Sequence, residues 1–411
     1  IYAARDKSRA RRRGWLVISV AVNLGFIGFF KYGDFMLHNW QALMASFGVE
    51  YVPPAWHIVL PVGISFYTFV TMSYTLDVYL GRSKPIESPL NYALFVTFFP
   101  HLVAGPIVRP TQLVPQFYEP KQANRDQMLW GLGLMILGLF EKVVIADGGL
   151  ASAADAVFGA QGPVGFADAW LGTLAFSGQI FCDFAGYSTI AVGAALCLGF
   201  GLPDNFRMPY AAMGFSDFWR RWHISLSTWL RDYLYVPLGG NRGTKARTYV
   251  NLMLTMLLGG LWHGANWTFV AWGGLHGIYL AVERWIRDRT GVRGEPVRWI
   301  NRIGLALLTY GLVNITWVFF RAHTFGGAAT ILKGMFGFAA GAEPVLATIY
   351  MIKVGVLISG IVVTHWLMRD REIEQVVSRT PWWVTGLACA AMLFAVIVTQ
   401  GSGTAFIYFQ F

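Results

Sequence analysis

Long apolar runs recur along the whole chain, and they constrain its fold more than any other feature. They cover residues 14–30, 58–80, 127–146, 166–200, 249–283, 300–320, 346–368 and 382–399. A helix needs about 20 such residues to cross the hydrocarbon core of a bilayer. Only 13% of the residues are charged, whereas about a quarter is usual in a soluble domain. The sequence therefore predicts an all-α polytopic membrane protein, with residues 1–411 in a single transmembrane domain.

The charged residues predict how the chain is oriented. The formal net charge is +10, and Lys and Arg concentrate in short segments between the apolar runs. Such segments mark the cytoplasmic side, so we expect a multi-pass protein of a bacterial inner membrane, surrounded by lipid. The basic residues do not follow one soluble face, which argues against a nucleic-acid partner. Cys182, Cys197 and Cys389 have neither disulfide nor metal spacing, and we expect no metal site.

The first residues of the chain resemble an internal loop. The sequence begins at Ile1, without a methionine, and residues 5–13 are strongly basic. This pattern is typical of a cytoplasmic loop that follows an earlier span, and we expect N-terminal helices to be missing. The alternative is the basic start of a secretory signal, but no small-residue cleavage site follows the first apolar run.

Four segments depart from a simple succession of spanning helices. Residues 35–47 are predicted to form an amphipathic piece at the membrane interface. Residues 92–108 contain two prolines and a glycine, which predict a broken or re-entrant segment. Residues 166–200 are long enough for one span and a returning piece. Residues 215–248, dense in Trp and Arg, are the least membrane-like part.

His263 is the strongest candidate for a catalytic residue. It lies in the sequence Gly-Gly-Leu-Trp-His-Gly-Ala-Asn, residues 259–266, inside a long apolar run. A titratable side chain in a membrane is costly and indicates a functional site. A helix over residues 249–262 is only about 21 Å long, which predicts a break deep in the membrane. A neutral imidazole there would suit a general base; the alternative is a structural histidine bonded to a carbonyl.

A second group of candidates lies between residues 217 and 242. Trp219, Trp222 and Trp229 recur at helical spacing with Leu226, Leu230 and Tyr233, which predicts the apolar face of an interfacial helix. His223 falls among these apolar residues and is the candidate partner of a catalytic group. Nearby arginines are candidates for binding a phosphate or acidic group, or else for a cytoplasmic anchor: Arg220, Arg221, Arg231 and Arg242.

Taken together, these stretches resemble the membrane-bound O-acyltransferase (MBOAT) family, most closely its bacterial alginate O-acetyltransferase, AlgI-like branch. The likeness covers nearly the whole chain. It rests on residues 61–69, 99–106, 181–188, 218–243, 259–266, 319–322 and 406–411. The resemblance implies a bundle of tilted and broken helices around a central tunnel. It also implies that a cytoplasmic acyl donor meets an acceptor from the other side within that tunnel.

The resemblance also implies roles for the candidate residues. His263 matches the essential intramembrane histidine of the family, and His223 matches a second, upstream polar residue. His263 would take the proton of the acceptor hydroxyl as it attacks a thioester. Asn266, Trp262 and Ser227 would support it, with His223 or Asn266 orienting the imidazole or binding the oxyanion. The arginines named above would hold the phosphates of the donor.

The branch implies the export of acetyl groups for O-acetylation of an exopolysaccharide such as alginate, completed by a periplasmic acetyltransferase partner. The donor is acetyl-CoA or a carrier-protein thioester, and no bound cofactor is expected. Within the enzyme class, D-alanyl transfer by the same fold is an alternative. A transporter is the rival from another class, because broken helices with deep polar residues are also typical of transporters. A scaffold for an acetylation complex is a further alternative.

Overall fold

The computed structural model describes residues 9–54, 59–103, 105–291 and 299–399. Within these ranges the chain is almost entirely helical, and the extended pairing is limited to one parallel bridge between Val164 and Glu343. Residues 406–411 and Ala104, which belong to the predicted family motifs, lie outside the described part of the chain, as do residues 5–8 of the basic start.

The first half of the described chain contains eight α-helices: α1 Arg9–Ser46, α2 Ile64–Leu80, α3 Pro89–Thr97, α4 Phe99–Leu102, α5 Pro110–Leu113, α6 Arg125–Leu139, α7 Ser152–Phe158 and α8 Phe166–Cys197. A π-helical stretch, Phe140–Ala151, joins α6 to α7, and a 3₁₀ turn, Val114–Tyr118, follows α5. The chain from Arg125 to Phe158 is thus one uninterrupted helical rod.

The second half contains nine more: α9 Phe215–Arg221, α10 Ile224–Leu230, α11 Lys245–His263, α12 Trp267–Thr290, α13 Trp299–Arg321, α14 Phe325–Met335, α15 Thr348–Met368, α16 Ile373–Arg379 and α17 Trp382–Thr399. A 3₁₀ turn, Pro209–Ala211, precedes α9, and a π-helical turn, Arg231–Tyr235, extends α10.

Six helical segments of the described residues are long and apolar enough to cross a membrane: Arg9–Ser46, Arg125–Phe158, Phe166–Cys197, Ile300–Arg321, Thr348–Met368 and Trp382–Thr399. The predicted class, an all-α polytopic membrane protein, is confirmed. Arg207, Arg220 and Arg369 surround one cavity together with Trp130, near the start of α6. Because basic residues mark the inner side, we take this face as cytoplasmic.

Helix α8 lies at the centre of the bundle, and glycines allow α6 and its π-helical extension to pack closely against it. A Cβ atom built on Gly186 would lie 2.6 Å from the carbonyl oxygen of Gly138. One built on Gly193 would lie 2.5 Å from that of Gly131. Small residues at such crossings let helix backbones approach in lipid, where tight van der Waals packing drives association. These glycines hold two long helices together and do not break them.

Two predicted breaks are absent from the described helices. The expected span 14–30 and interfacial piece 35–47 form one helix, α1, because a fall in hydropathy without a proline does not end a helix. The side chain of Asn39 instead donates to the carbonyl of Phe35 within the same helix. Residues 166–200 likewise form the single helix α8 and a short tail, and not a span with a returning piece.

Two other predictions about helix breaks are confirmed. The segment 92–108 is broken: α3 ends at Thr97, and the short α4 starts at Phe99, with Pro100 in its first turn. The pair of helices divided near His263 is also present, since α11 ends at His263 and α12 begins at Trp267. The segment containing His263 is therefore irregular, as predicted, and it is enclosed by protein.

Candidate active site

His263 is the last residue of α11 and is buried in an aromatic enclosure. Its side chain is 4% exposed. Its ring centroid lies 4.9 Å from that of Trp262, 5.0 Å from Trp272 and 5.3 Å from Phe320. Helix α11 starts at Lys245, earlier than predicted, so it is about 28 Å long and His263 lies farther from the cytoplasmic face than expected. The imidazole remains within a dry, apolar setting.

Close contact between α11 and α12 brings the enclosing residues to His263. A Cβ on Gly260 would lie 3.1 Å from the Cα of Gly273, and it would overlap the carbonyl oxygen of Phe269. The two backbones therefore touch one turn before the break. This contact brings Trp272 of α12 against the imidazole. The glycines of this motif thus allow the two helix backbones to approach closely.

His223 is the second buried imidazole, and it breaks the predicted interfacial helix. It lies between α9 and α10 in a left-handed conformation, with φ 43° and ψ 55°, and its side chain is 0% exposed. Its ring centroid is 6.4 Å from that of His263. A non-glycine residue at positive φ is strained, and residues of this kind cluster at functional sites. The segment that was predicted to lie at the interface instead carries His223 into the bundle.

Asn205 fixes the tautomer of His223. The backbone N–H of Ser225 donates to the Oδ1 atom of Asn205 at 3.3 Å, and the Ser225 hydroxyl does so at 2.8 Å. Because a backbone N–H can only donate, this side-chain atom of Asn205 is its oxygen. The Nδ1 atom of His223 lies 3.1 Å from the same oxygen and must therefore carry the proton. In neutral His223 the Nε2 atom is then an acceptor, and it is buried without a hydrogen-bond partner among the described residues.

A cavity of about 660 Å³ opens on the cytoplasmic side and reaches Asn205. The amide of Asn205 also donates to the hydroxyl of Ser188 at 3.1 Å, and Ser188 lines the same cavity. The wall is charged, and both signs are present: Asp204, Arg207, Asp217, Arg220, Arg221, Arg369, Asp370, Arg371, Glu372 and Glu374. Hydrogen bonds therefore connect the charged cavity to His223.

A second cavity, of about 280 Å³, lies on the other side of the histidines. It is lined by Lys31, Asn266, Phe269, Phe320 and His323, among others. Phe320 also contacts the His263 ring. A continuous series of contacts thus runs from one cavity to the other through Asn205, His223, His263 and Phe320. The predicted central tunnel stays a prediction: the structure has a cavity on each side, with side chains in contact between them.

The four predicted donor-binding arginines fall into two groups. Arg220 and Arg221 line the cytoplasmic cavity, but Arg221 is engaged by Asp217 at 2.9 Å and by the carbonyl of Arg369 at 2.8 Å. Arg231 and Arg242 are exposed and do not line that cavity. Their role in donor binding stays a prediction, and they lie apart from the two arginines that line the cavity.

Arg231 instead belongs to a small surface network around Asp232. It pairs with Asp232 at 2.7 Å, and Arg109 pairs with the same carboxylate at 2.6 Å. Partial burial would raise the pKa of Asp232, but the hydrogen bonds from the two arginines outweigh it and hold that pKa below its usual range. The network fastens the end of α10 to the segment before α5.

The supporting residues also have distinct positions. Trp262 stacks on Phe69 with ring centroids 5.0 Å apart, and so forms a rigid wall beside His263. Ser227 lies one turn after His223 and donates its backbone N–H to the His223 carbonyl at 2.9 Å.

Asn266 does not orient His263, contrary to one predicted role. Its Oδ1 atom accepts the N–H of Thr268 at 3.0 Å, and its amide donates to the carbonyl of His323 at 2.9 Å. The side chain is therefore the N-cap of α12. It can still meet a ligand, since it lines the second cavity.

Sequence reasoning missed Asn205 and Lys31. Asn205 follows Pro203 and Asp204, a pattern typical of an ordinary turn, and nothing in it indicates contact with His223. Lys31 did carry a usable signal, because it is a lone cation just after the apolar run 14–30. An ionisable residue in such a position calls for a partner, and the partner here is the end of α11.

Comparison with known proteins places these residues in a family. The model of the MBOAT, membrane-bound O-acyltransferase family matches residues 22–293, a range that includes His223 and His263. The chain belongs to the membrane-bound O-acyltransferase family. The resemblance noted in the sequence is thus confirmed. The apolar helices and bacterial relatives fit a multi-pass protein of a bacterial inner membrane.

Three curated relatives illustrate the range of similar proteins. The chain is 46% identical over 339 residues to the probable alginate O-acetylase AlgI of Azotobacter vinelandii, covering 82% of this chain and 66% of that protein. The Pseudomonas aeruginosa protein of the same name is 45% identical, with 82% and 63% covered. The peptidoglycan O-acetyltransferase of Helicobacter pylori is 40% identical, with 81% and 66% covered. The chain spans just under two thirds of the length of these relatives.

Proposed function

We propose that this protein is a membrane O-acetyltransferase. It transfers acetyl groups from a cytoplasmic thioester across the inner membrane, for the O-acetylation of an exopolysaccharide such as alginate by a periplasmic acetyltransferase partner. One observation carries the proposal: two contacting buried histidines separate a charged cytoplasmic cavity from a cavity on the other side. The names and similarity of the relatives, two alginate O-acetylases and a peptidoglycan O-acetyltransferase, support the same chemistry.

In the proposed reaction His263 is the general base. It removes the proton of the acceptor hydroxyl while the oxygen attacks the carbonyl carbon of the acetyl thioester. The C–S bond then breaks, the thiolate leaves towards the cytoplasm, and the proton from His263 neutralises it. Since Nε2 of His223 lacks a proton, His223 accepts a hydrogen bond and is not an oxyanion donor. We assign it to orient the acceptor hydroxyl or the His263 imidazole.

The cytoplasmic cavity is the proposed donor site. Arg220 is exposed there and forms no ion pair among the residues that the structure describes, and Arg371 lines the same cavity. Guanidinium groups bind phosphate oxygens in strong, charge-assisted pairs. Acetyl-CoA and the phosphopantetheine arm of a carrier protein both present phosphate followed by a thioester, and both suit this arrangement. Arg231 and Arg242 lie outside this cavity and have no place in the proposed donor site.

The decisive experiment measures acetyl transfer by the purified protein with its periplasmic partner and radiolabelled acetyl-CoA. We expect His263→Gln to reduce transfer by about 10²- to 10⁴-fold, the usual contribution of a general base. The matched control is His38→Gln, since His38 is an exposed histidine on α1. Its variant should transfer acetyl at the wild-type rate.

Other outcomes would select among the alternatives. Acetyl transfer at the wild-type rate by a folded His263→Gln protein would show that His263 is not the general base. Transfer from an acetylated carrier protein but not from acetyl-CoA would identify the donor. D-alanyl transfer from a carrier would favour the alternative acyl group. If no thioester is consumed and acetylation still depends on the protein, it acts as a transporter or scaffold.

A further inference from the structure

The end of α11 leaves backbone carbonyls that the residues directly after the helix do not cap. The last turns of any helix contain carbonyl groups without an intrahelical donor. Many helices satisfy them with a left-handed residue just beyond the end. Gly264 is instead extended, with φ −160° and ψ 150°, and no backbone N–H of that segment returns to the helix. An unsatisfied carbonyl in lipid costs several kcal/mol, so another element must supply the donors.

Two consecutive residues of α1 supply them. The ammonium of Lys31 donates to the carbonyl of Trp262 at 2.6 Å and to that of His263 at 3.1 Å. The hydroxyl of Tyr32 donates to the carbonyl of Leu261 at 2.8 Å. Three successive carbonyls, ending at His263 itself, are thus held by a neighbouring helix. We call this arrangement the carbonyl bracket.

The bonding of Lys31 indicates positioning and not substrate binding. An ammonium group has three donors. Two go to the carbonyls of the bracket, and the hydroxyl of Ser65 accepts the third at 3.3 Å. The cation also lies 5.6 Å from the centre of the Trp262 ring, and a positive charge is favourable at the carboxyl end of a helix. Lys31 thus reaches the wall of the second cavity with its donors already used.

We propose that the carbonyl bracket positions the His263 imidazole for catalysis, with Lys31 as the principal positioning residue. The inference rests on the proposed function of His263. Its consequence is geometric: with the bracket removed, the last turn of α11 can unwind towards the extended Gly264, and the imidazole moves with it. A misplacement of about 1 Å at a reacting group can cost as much as 100-fold in rate.

The test compares Lys31→Met, Lys31→Arg and Tyr32→Phe in the acetyl-transfer assay with the partner present. We expect Lys31→Met to lower kcat between about 10- and 100-fold with the KM for the donor unchanged. Lys31→Arg should recover part of that loss, because a guanidinium can also donate to two carbonyls, and Tyr32→Phe should lose less than Lys31→Met. Lys333→Met, which removes an exposed lysine, should retain wild-type kcat.

Thermal unfolding of each purified variant separates a displaced imidazole from a misfolded protein. Folded Lys31→Met with wild-type kcat would overturn the proposal, and so would a change confined to KM, which would make Lys31 a substrate-binding residue. If Lys31→Met does not fold, wild-type kcat in both Lys31→Arg and Tyr32→Phe would overturn it. His263→Gln, assayed in parallel, tests the proposed function separately: its full activity would remove the base whatever the bracket variants do.

Discussion

Two polar sites inside the bundle differ in the partners of their polar side chains. At one, the ammonium of Lys142 pairs with Asp183 at 2.5 Å and with Asp147 at 3.0 Å. At the other, the rings of His223 and His263 lie among aromatic side chains, and His223 is held by a hydrogen bond to Asn205 and not by an ion pair. Lys142 and Asp183 line neither of the two cavities that flank the histidines.

The difference shows that depth in a membrane does not by itself identify a catalytic group. A deep ionisable residue is a candidate for function, but mutual charge pairing can fully account for its presence. Lys142 and Asp183 connect the π-helical stretch to α8, and their pairing accounts for both charges. His223 and His263 instead contact each other and stand between the two cavities, so chemistry explains them better.

The largest expected effect on stability comes from Lys142→Met. This change removes the cation from two carboxylates, and loss of one partner from a buried ion pair costs about 3–5 kcal/mol. We expect a much lower unfolding temperature in detergent, while protein that remains folded at low temperature still transfers acetyl. His263→Gln should show the reverse: near-normal stability and little transfer.

Lys333→Met serves again as the control for Lys142→Met. The contrast between the two sites would be wrong if Lys142→Met kept the unfolding temperature of the wild type but lost acetyl transfer. That result would assign the ion cluster to the reaction and not to the packing of helices.

An intermediate effect is expected at Asn205, and it sharpens the assignment at the histidine site. Asn205→Leu removes the hydrogen-bond acceptor of Nδ1, so the proton of His223 is no longer held on that nitrogen. We therefore expect kcat to fall by about tenfold or more, towards the 10²-fold contribution of a proton-transfer group. Asn205→Asp keeps an acceptor oxygen and should retain most of the activity. Equal activity of the two variants would show that the tautomer of His223 does not matter.

The smallest effect is expected at the surface, in Asp232→Asn. A partly exposed ion pair contributes less than about 1 kcal/mol. Because the pKa of Asp232 is lowered in the folded protein, its stabilisation is present above the unfolded pKa and is lost as the pH falls through the folded one. The unfolding temperatures of wild type and variant should therefore converge in acid. A constant gap at all pH values would assign the effect to packing.

Much of the fold could be predicted because a helix that crosses the lipid bilayer needs about 20 predominantly apolar residues. The spans 300–320, 346–368 and 382–399 correspond closely to α13, α15 and α17. The errors fall where hydropathy varies inside a continuous helix. Polar residues within α1 resemble the end of a span, and Asp183 within α8 resembles a turn. Lys31 in α1 and Asp183 in α8 are accommodated by partners in another part of the chain, which one-dimensional patterns do not contain.

The site was predictable to the extent that its residues are unusual locally. His263 stands out in an apolar run, and His223 stands out among residues of an apolar face. Asn205 and Lys31 act through contacts distant in sequence, and no spacing rule links them to the histidines. The donor arginines were chosen by sequence proximity, which does not show that Arg220 and Arg221 line the cavity and that Arg231 and Arg242 do not.

The thin partition between the two cavities has an electrical consequence. Where water enters both cavities, the membrane potential falls mainly across the layer that holds the two imidazoles, whose centroids are 6.4 Å apart. A full charge crossing that layer would exchange about 2.3 kcal/mol with the field for each 100 mV. An acetyl group carries no charge and exchanges none. In the proposed reaction the acetyl group and a proton change places between two neutral molecules, so no net charge crosses the layer and the energetic cost is the same in energised and in depolarised cells.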